Sequence, residues 1–149
     1  MSIVRPVKDW PQVDPHIREL EETFVSCLGW GLVKSVDRYD RWMPYVSVGL
    51  GLDPSCIVNV DLREIYEAIR THYLDTESFT WQAVRLSLVT QGWFGEWGTS
   101  YASGRHTAYV DVVCNQFTTV GAIPSLRKLI EAEAEKRGGS KIANQRGYR

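Results

Sequence analysis

The chain is poor in residues that bind metals or form disulfides. Its three cysteines, Cys27, Cys56 and Cys114, are far apart and none belongs to a CxxC pair. Its three histidines show neither HxxxH nor HxH spacing. This pattern excludes a disulfide framework and gives no zinc site. We therefore expect no metal site, three free thiols and a reducing compartment.

Long apolar runs and nucleotide-binding motifs are also missing. No stretch approaches the 18 apolar residues of a membrane span, and the first residues, SIVRPVKDW, lack the apolar segment of a signal peptide. The GLG at 49–51 lacks GxGxxG spacing, and DPSCIV around Cys56 matches no nucleophile elbow. These absences predict no membrane association, no cofactor and no enzymatic activity, with a small enzyme of unknown chemistry as an alternative.

What is present indicates an ordinary globular chain. Its 149 residues, 44% hydrophobic and 23% charged, fit one domain. The hydrophobic periods predict the order α-β-β-α-β-β-α, an α+β fold in which helices pack on a mostly antiparallel sheet. We predict helices at 14–29, 61–74 and 124–137, and strands at 32–42, 44–52, 79–90 and 106–117.

Local signals set these boundaries. Asp14 has the side chain to cap the first helix, and Gly29 is placed to end it. Asp61 and Glu64 have the spacing of a capping box for the second helix. Gly138 is expected to end the third. The resulting organisation is an extended arm at 1–13, one α+β domain at 14–137 and a basic tail at 138–149.

Residues 91–104, QGWFGEWGTSYASG, form the most unusual stretch. They join two predicted strands, and they are too many for a hairpin link. Long loops are often functional, and large aromatics beside glycine are typical of interface hot spots. We predict that this loop binds a partner; the alternative is that its aromatics fold back over the core. The candidate partner-binding residues are Trp93, Phe94, Trp97 and Tyr101.

The carboxyl-terminal segment is basic, whereas the rest of the chain is acidic. Residues 136–149 hold five bases and no acid, and the rest of the chain has 12 bases and 18 acids. Such a tail has too little apolar surface to order itself, and its charge points to an acidic partner surface. That surface could be another copy of the chain, another protein or nucleic acid. The candidate contacts are Lys141, Arg146, Tyr148 and Arg149.

Two family resemblances bear on function. A helix followed by RWMPYVSVGLG and FTWQAVRLSLV, within residues 14–90, resembles the tail-terminator proteins of tailed phages. Those are small α+β domains that form a ring on the tail tube. The segments GWGLVKSVDRYDR and FTTVGAIPSLRKL resemble parts of tombusvirus-type silencing suppressors, which clamp short duplex RNA. The first resemblance departs from the family in its helix at 61–74 and in its helical, basic carboxyl terminus.

The sequence thus predicts a non-enzymatic structural or assembly protein. The tail-terminator resemblance implies a ring subunit of the phage tail or neck, located in the virion and assembled in the host cytoplasm. The expected partners are further copies of the chain and other virion proteins. The alternative is an RNA-binding protein of the silencing-suppressor type, in which the basic tail neutralises phosphates and the loop stacks bases.

Overall fold

The predicted sheet is absent from the part of the chain that the structure describes. A computed structural model describes residues 14–35, 41–93, 107–117 and 119–146, with 138–146 described by their backbone alone. These ranges contain α-helices and 3-10 turns but no strand, so the α+β prediction is wrong and the fold is all-helical. The helices are α1 (Pro15–Lys34), α2 (Met43–Leu50), α3 (Val60–Thr76), α4 (Trp81–Thr90), α5 (Ala108–Cys114) and α6 (Ile123–Arg146), with 3-10 turns at Pro54–Cys56 and Val120–Ala122.

The predicted strand at 79–90 is largely the helix α4, and a helix explains the alternation of its apolar residues. Val84 and Leu88 are buried, whereas Leu86 between them is 57% exposed. Four-residue spacing places the first two on one helix face, and an intervening apolar residue imitates the two-residue period of a strand. The side chain of Thr80 accepts a hydrogen bond from the backbone N–H of Ala83 at 3.1 Å, which caps the helix.

The other three predicted strands are also wrong. Residues 32–34 are the last turn of α1, and most of 44–52 forms α2. Pro44 lies in the first turn of α2, where its missing N–H leaves no hydrogen bond unmade. The segment predicted at 106–117 contains α5, in which Tyr109, Val110 and Val113 turn inward with helical spacing.

Helix ends show which local signals hold. The backbone N–H of His16 donates to the Asp14 side chain at 2.8 Å, so the predicted cap of α1 is confirmed. The predicted capping box at Asp61 and Glu64 is wrong, because α3 begins earlier and is capped by Asn59. The predicted ends at Gly29 and Gly138 are also wrong, because α1 runs to Lys34 and α6 to Arg146.

Gly29 serves helix packing instead of helix termination. A Cβ atom added there would lie 2.3 Å from two carbons of the Trp81 ring, which is far inside van der Waals contact. The missing side chain therefore lets α4 approach α1 at this point.

We expect Gly29→Ala to destabilise the fold by about 1–3 kcal/mol, the usual cost of overpacking, despite the better helix propensity of alanine. Urea denaturation measures it. The matched control is Gly121→Ala, because a Cβ there meets nothing within 4 Å. Equal stabilities of the two variants would contradict the packing role of Gly29.

The core is built around α1. This helix contacts α2, α3, α5 and α6, and its residues from Glu21 to Leu32 are buried except Thr23 and Trp30. The helices α3 and α4 are antiparallel neighbours joined by residues 77–80, and Glu77 in that link has a left-handed φ of 56°. Among the described residues, no helix combines the length and apolar character needed to cross a membrane.

Candidate functional site

A groove between α3 and α4 is the candidate site. It has a volume of about 250 Å³ and is open to solvent along one side. The two antiparallel helices form its walls, and the buried Ala68 lies at its base. Its lining residues are Glu64, Glu67, Ala68, Thr71, His72, Asp75, Ser87 and Gln91.

The groove is acidic. Three carboxylates line it, those of Glu64, Glu67 and Asp75, and neither lysine nor arginine is among the lining residues. Glu67 and Asp75 are exposed and form no ion pair within the described ranges. A cleft lined by one sign of charge concentrates the field and attracts the opposite charge. The groove therefore favours a basic ligand or partner segment.

Two apolar side chains on the same helices are exposed but are not among the residues that line the groove. Leu74 on α3 is 63% exposed, and Leu86 on α4 is 57% exposed.

Trp93, predicted to bind a partner, lies at one end of this groove and is buried. Only 4% of it is exposed, and its indole N–H donates to Glu64 Oε1 at 3.2 Å. Its backbone N–H donates to the carbonyl of Leu88, and this hydrogen bond holds residues 91–93 against the carboxyl-terminal end of α4. The aromatic ring therefore belongs to the core, and a direct role in partner binding stays a prediction.

The other predicted contacts are only partly described. Phe94, Trp97 and Tyr101 lie outside the described residues, as do Tyr148 and Arg149. Lys141 and Arg146 belong to the part of α6 that is described by its backbone alone. The helix α6 continues across the boundary predicted between the domain and the tail.

Sequence reasoning missed a buried polar cluster on α1. Val58 N–H and Asn59 N–H donate to the two carboxylate oxygens of Glu21, at 2.8 and 3.2 Å. Tyr109 O–H donates to Glu22 Oε2 at 2.6 Å and accepts from Asn59 Nδ2 at 2.8 Å. Burial raises the pKa of both carboxyls and of the Tyr109 phenol. A signal was available, because Glu21 lies four residues after Ile17 and three before Phe24, on the apolar stripe of α1.

The cysteines and histidines form no catalytic arrangement in the described ranges. Cys27 and Cys56 are buried, and burial raises the pKa of the half-buried Cys114 thiol to about 11, so it stays protonated at neutral pH. His72 lines the groove, His16 is exposed and His106 lies outside the described residues. No group of three or more His, Cys, Asp and Glu residues that could hold a metal ion occurs in those ranges.

Comparisons of the chain with protein-family models, with characterised proteins and with solved structures found no match.

Proposed function

We propose that this protein is a non-enzymatic assembly protein whose copies associate through charge. The basic carboxyl-terminal segment of one copy binds the acidic groove between α3 and α4 of another. The observation that carries the proposal is the groove itself, with Glu64, Glu67 and Asp75 along it and no base among its lining residues.

The geometry of α6 supports this arrangement. Its last buried residue is Ala134 among those whose side chains are described, and the helix continues to Arg146. At about 1.5 Å per residue, this adds roughly 18 Å of helix beyond Ala134. Residues 136–149 contain five bases and no acid. Arg137 donates to the carbonyl of Cys56 and Lys136 pairs with Glu133, so Lys141, Arg146 and Arg149 are the bases proposed to complement the groove.

The buried carboxylates of α1 are separate from the groove. Glu21 accepts the backbone N–H groups of Val58 and Asn59, Glu22 accepts from Tyr109, and neither carboxylate lines the groove. The place of such an assembly in a virion stays a prediction. It rests on the tail-terminator resemblance, and two segments that carry that resemblance are helices here.

A charge-swap experiment tests the proposal. Glu67→Lys with Asp75→Lys reverses the groove, and Lys141→Glu with Arg146→Glu reverses the tail. We expect the wild-type chain to self-associate at low salt, and each double variant alone to associate more weakly by several kcal/mol. An equimolar mixture of the two variants should associate again, because one reversed groove then meets one reversed tail. Sedimentation velocity at 50 mM and 500 mM salt measures all of these states.

A control separates specific pairing from net charge. Glu19→Lys with Glu135→Lys makes the same change in net charge on exposed residues outside the groove, and association should persist. Added salt should weaken the wild-type association, since exposed pairs are screened beyond about 8 Å at physiological ionic strength. A mixture that stays dissociated contradicts the pairing, and a monomer that shifts duplex RNA in a gel supports the RNA-binding alternative.

A further inference from the structure

Glu22 is a buried carboxylate with hydrogen bonds to only one of its two oxygens. It is 4% exposed, and Tyr109 O–H donates to its Oε2 at 2.6 Å. Within the described ranges no donor reaches Oε1, in contrast to Glu21, both of whose oxygens accept backbone N–H groups. Because Oε1 accepts no hydrogen bond from a described residue, a proton can reside there without breaking the bond from Tyr109.

Glu22 heads a chain of buried hydrogen bonds that joins three helices. Tyr109 on α5 accepts from Asn59 Nδ2 at 2.8 Å, and Asn59 Oδ1 accepts from the Leu62 N–H at the start of α3. Tyr109 is 2% exposed and Asn59 is fully buried. These hydrogen bonds therefore couple the protonation state of Glu22 on α1 to α5 and to the cap of α3.

We propose that Glu22 is a pH-sensitive switch, which takes up a proton on Oε1 as the pH falls and thereby stabilises the folded chain. Protonation removes a buried charge and keeps Oε2 as the acceptor for Tyr109. This inference does not depend on the proposed self-association. The predicted partner-binding residues Phe94, Trp97 and Tyr101 precede α5 in the chain, so the switch acts on the element that follows them.

Charged groups on the neighbouring helices set the range of the switch. Arg18 on α1 favours the ionised form of Glu22, and Glu19 opposes it. Glu21 is influenced separately, by Arg63 of α3 and Arg137 of α6. The short helix α2, MPYVSVGL, has no charged residue, and α5 faces Glu22 with Tyr109.

The direction of the pH effect follows from burial, which raises the pKa of Glu22 above its ordinary value of 4.5. The folded chain then binds the proton more tightly than the unfolded chain does. Stability is therefore greatest at the acidic end and falls as the pH rises from 4.5 through the folded-state pKa. One such proton changes the unfolding equilibrium constant by at most about tenfold per pH unit.

Urea denaturation of the full chain between pH 4.5 and pH 8 tests the switch. In the wild type, we expect the unfolding equilibrium constant to increase with pH. In Glu22→Gln, the slope of its logarithm against pH should be smaller by up to about one, because one titrating proton is lost. Glu135→Gln is the control, because Glu135 is exposed on α6 and is not among the charged groups that act on Glu22, and its slope should be that of the wild type. Equal slopes for Glu22→Gln and the wild type would overturn the proposal.

A second measurement keeps the test decisive if Glu22→Gln fails to fold. The ¹³C shift of the Glu22 side-chain carboxyl in the wild-type chain reports its titration directly. We expect a midpoint above 4.5, and a further increase in Tyr109→Phe, because the hydrogen bond from Tyr109 lowers the pKa of Glu22. A wild-type midpoint at or below 4.5 overturns the switch.

Discussion

Replacing Trp93 with alanine is expected to lower the free energy of unfolding by about 3–5 kcal/mol, the usual cost of removing a buried large aromatic side chain. The ring is 4% exposed and belongs to the hydrophobic core, and its indole N–H bonds to Glu64. Since whole domains are stable by only about 5–15 kcal/mol, such a loss should be plain in urea denaturation. The sequence analysis instead placed Trp93 in a partner-binding loop, where its replacement would spare monomer stability and weaken assembly.

Trp93→Phe is the matched variant for this prediction. Phenylalanine retains most of the buried ring and loses the hydrogen bond to Glu64, so we expect a smaller cost, on the order of 1–2 kcal/mol. An alanine variant that unfolds at the wild-type urea concentration but fails to associate would contradict the burial of Trp93 and restore its interpretation as an exposed anchor.

Glu21→Ala is expected to cost about 3–5 kcal/mol, a large effect for a charged residue. The carboxylate accepts the backbone N–H groups of Val58 and Asn59, and its removal leaves both donors without that partner in a buried region. A buried donor without a partner costs about 1–3 kcal/mol, and the lost side-chain volume adds to this. Urea denaturation at pH 7 measures the difference.

Two further variants locate the cause. Glu21→Gln keeps one oxygen for one N–H but turns its own NH₂ group toward the other donor, so its stability should fall between those of the wild type and Glu21→Ala. Glu19→Ala removes an exposed carboxylate of the same helix and should change stability by at most about 0.5 kcal/mol. A loss below about 1 kcal/mol in Glu21→Ala would contradict the clamping role of this carboxylate.

The sequence predicts the long helices of this fold and fails on the short ones. In α1 and α3, apolar residues such as Phe24, Leu28, Ile65 and Ile69 repeat over several turns, and all four are buried as the helical period requires. The helices α2, α4 and α5 have only seven to ten residues each and contain several valines. Over such a length strand and helix periods overlap. Packing of α2 and α5 against α1, and of α4 against α3, selects the helix against the β preference of valine.

Of the proposed pairing between tail and groove, only the basic tail was predictable from the sequence. The tail is basic over contiguous residues, so its charge is visible in the sequence. The groove is assembled from α3 and α4, and Ser87 and Gln91 come from a segment that alternation assigned mainly to a strand. Within α3, however, Glu64, Thr71 and Asp75 recur at seven and four residues, so a polar face of this helix could have been recognised.

The central position of α1 has a consequence for the order of folding during synthesis. This helix leaves the ribosome before α6, but it contacts α6, which begins at Ile123, roughly 100 positions later in the chain. Contacts between such distant segments slow folding, because a long loop must close first. A nascent chain that ends before α6 leaves one side of α1 uncovered. Unfinished chains therefore expose the apolar residues that chaperones and proteases recognise.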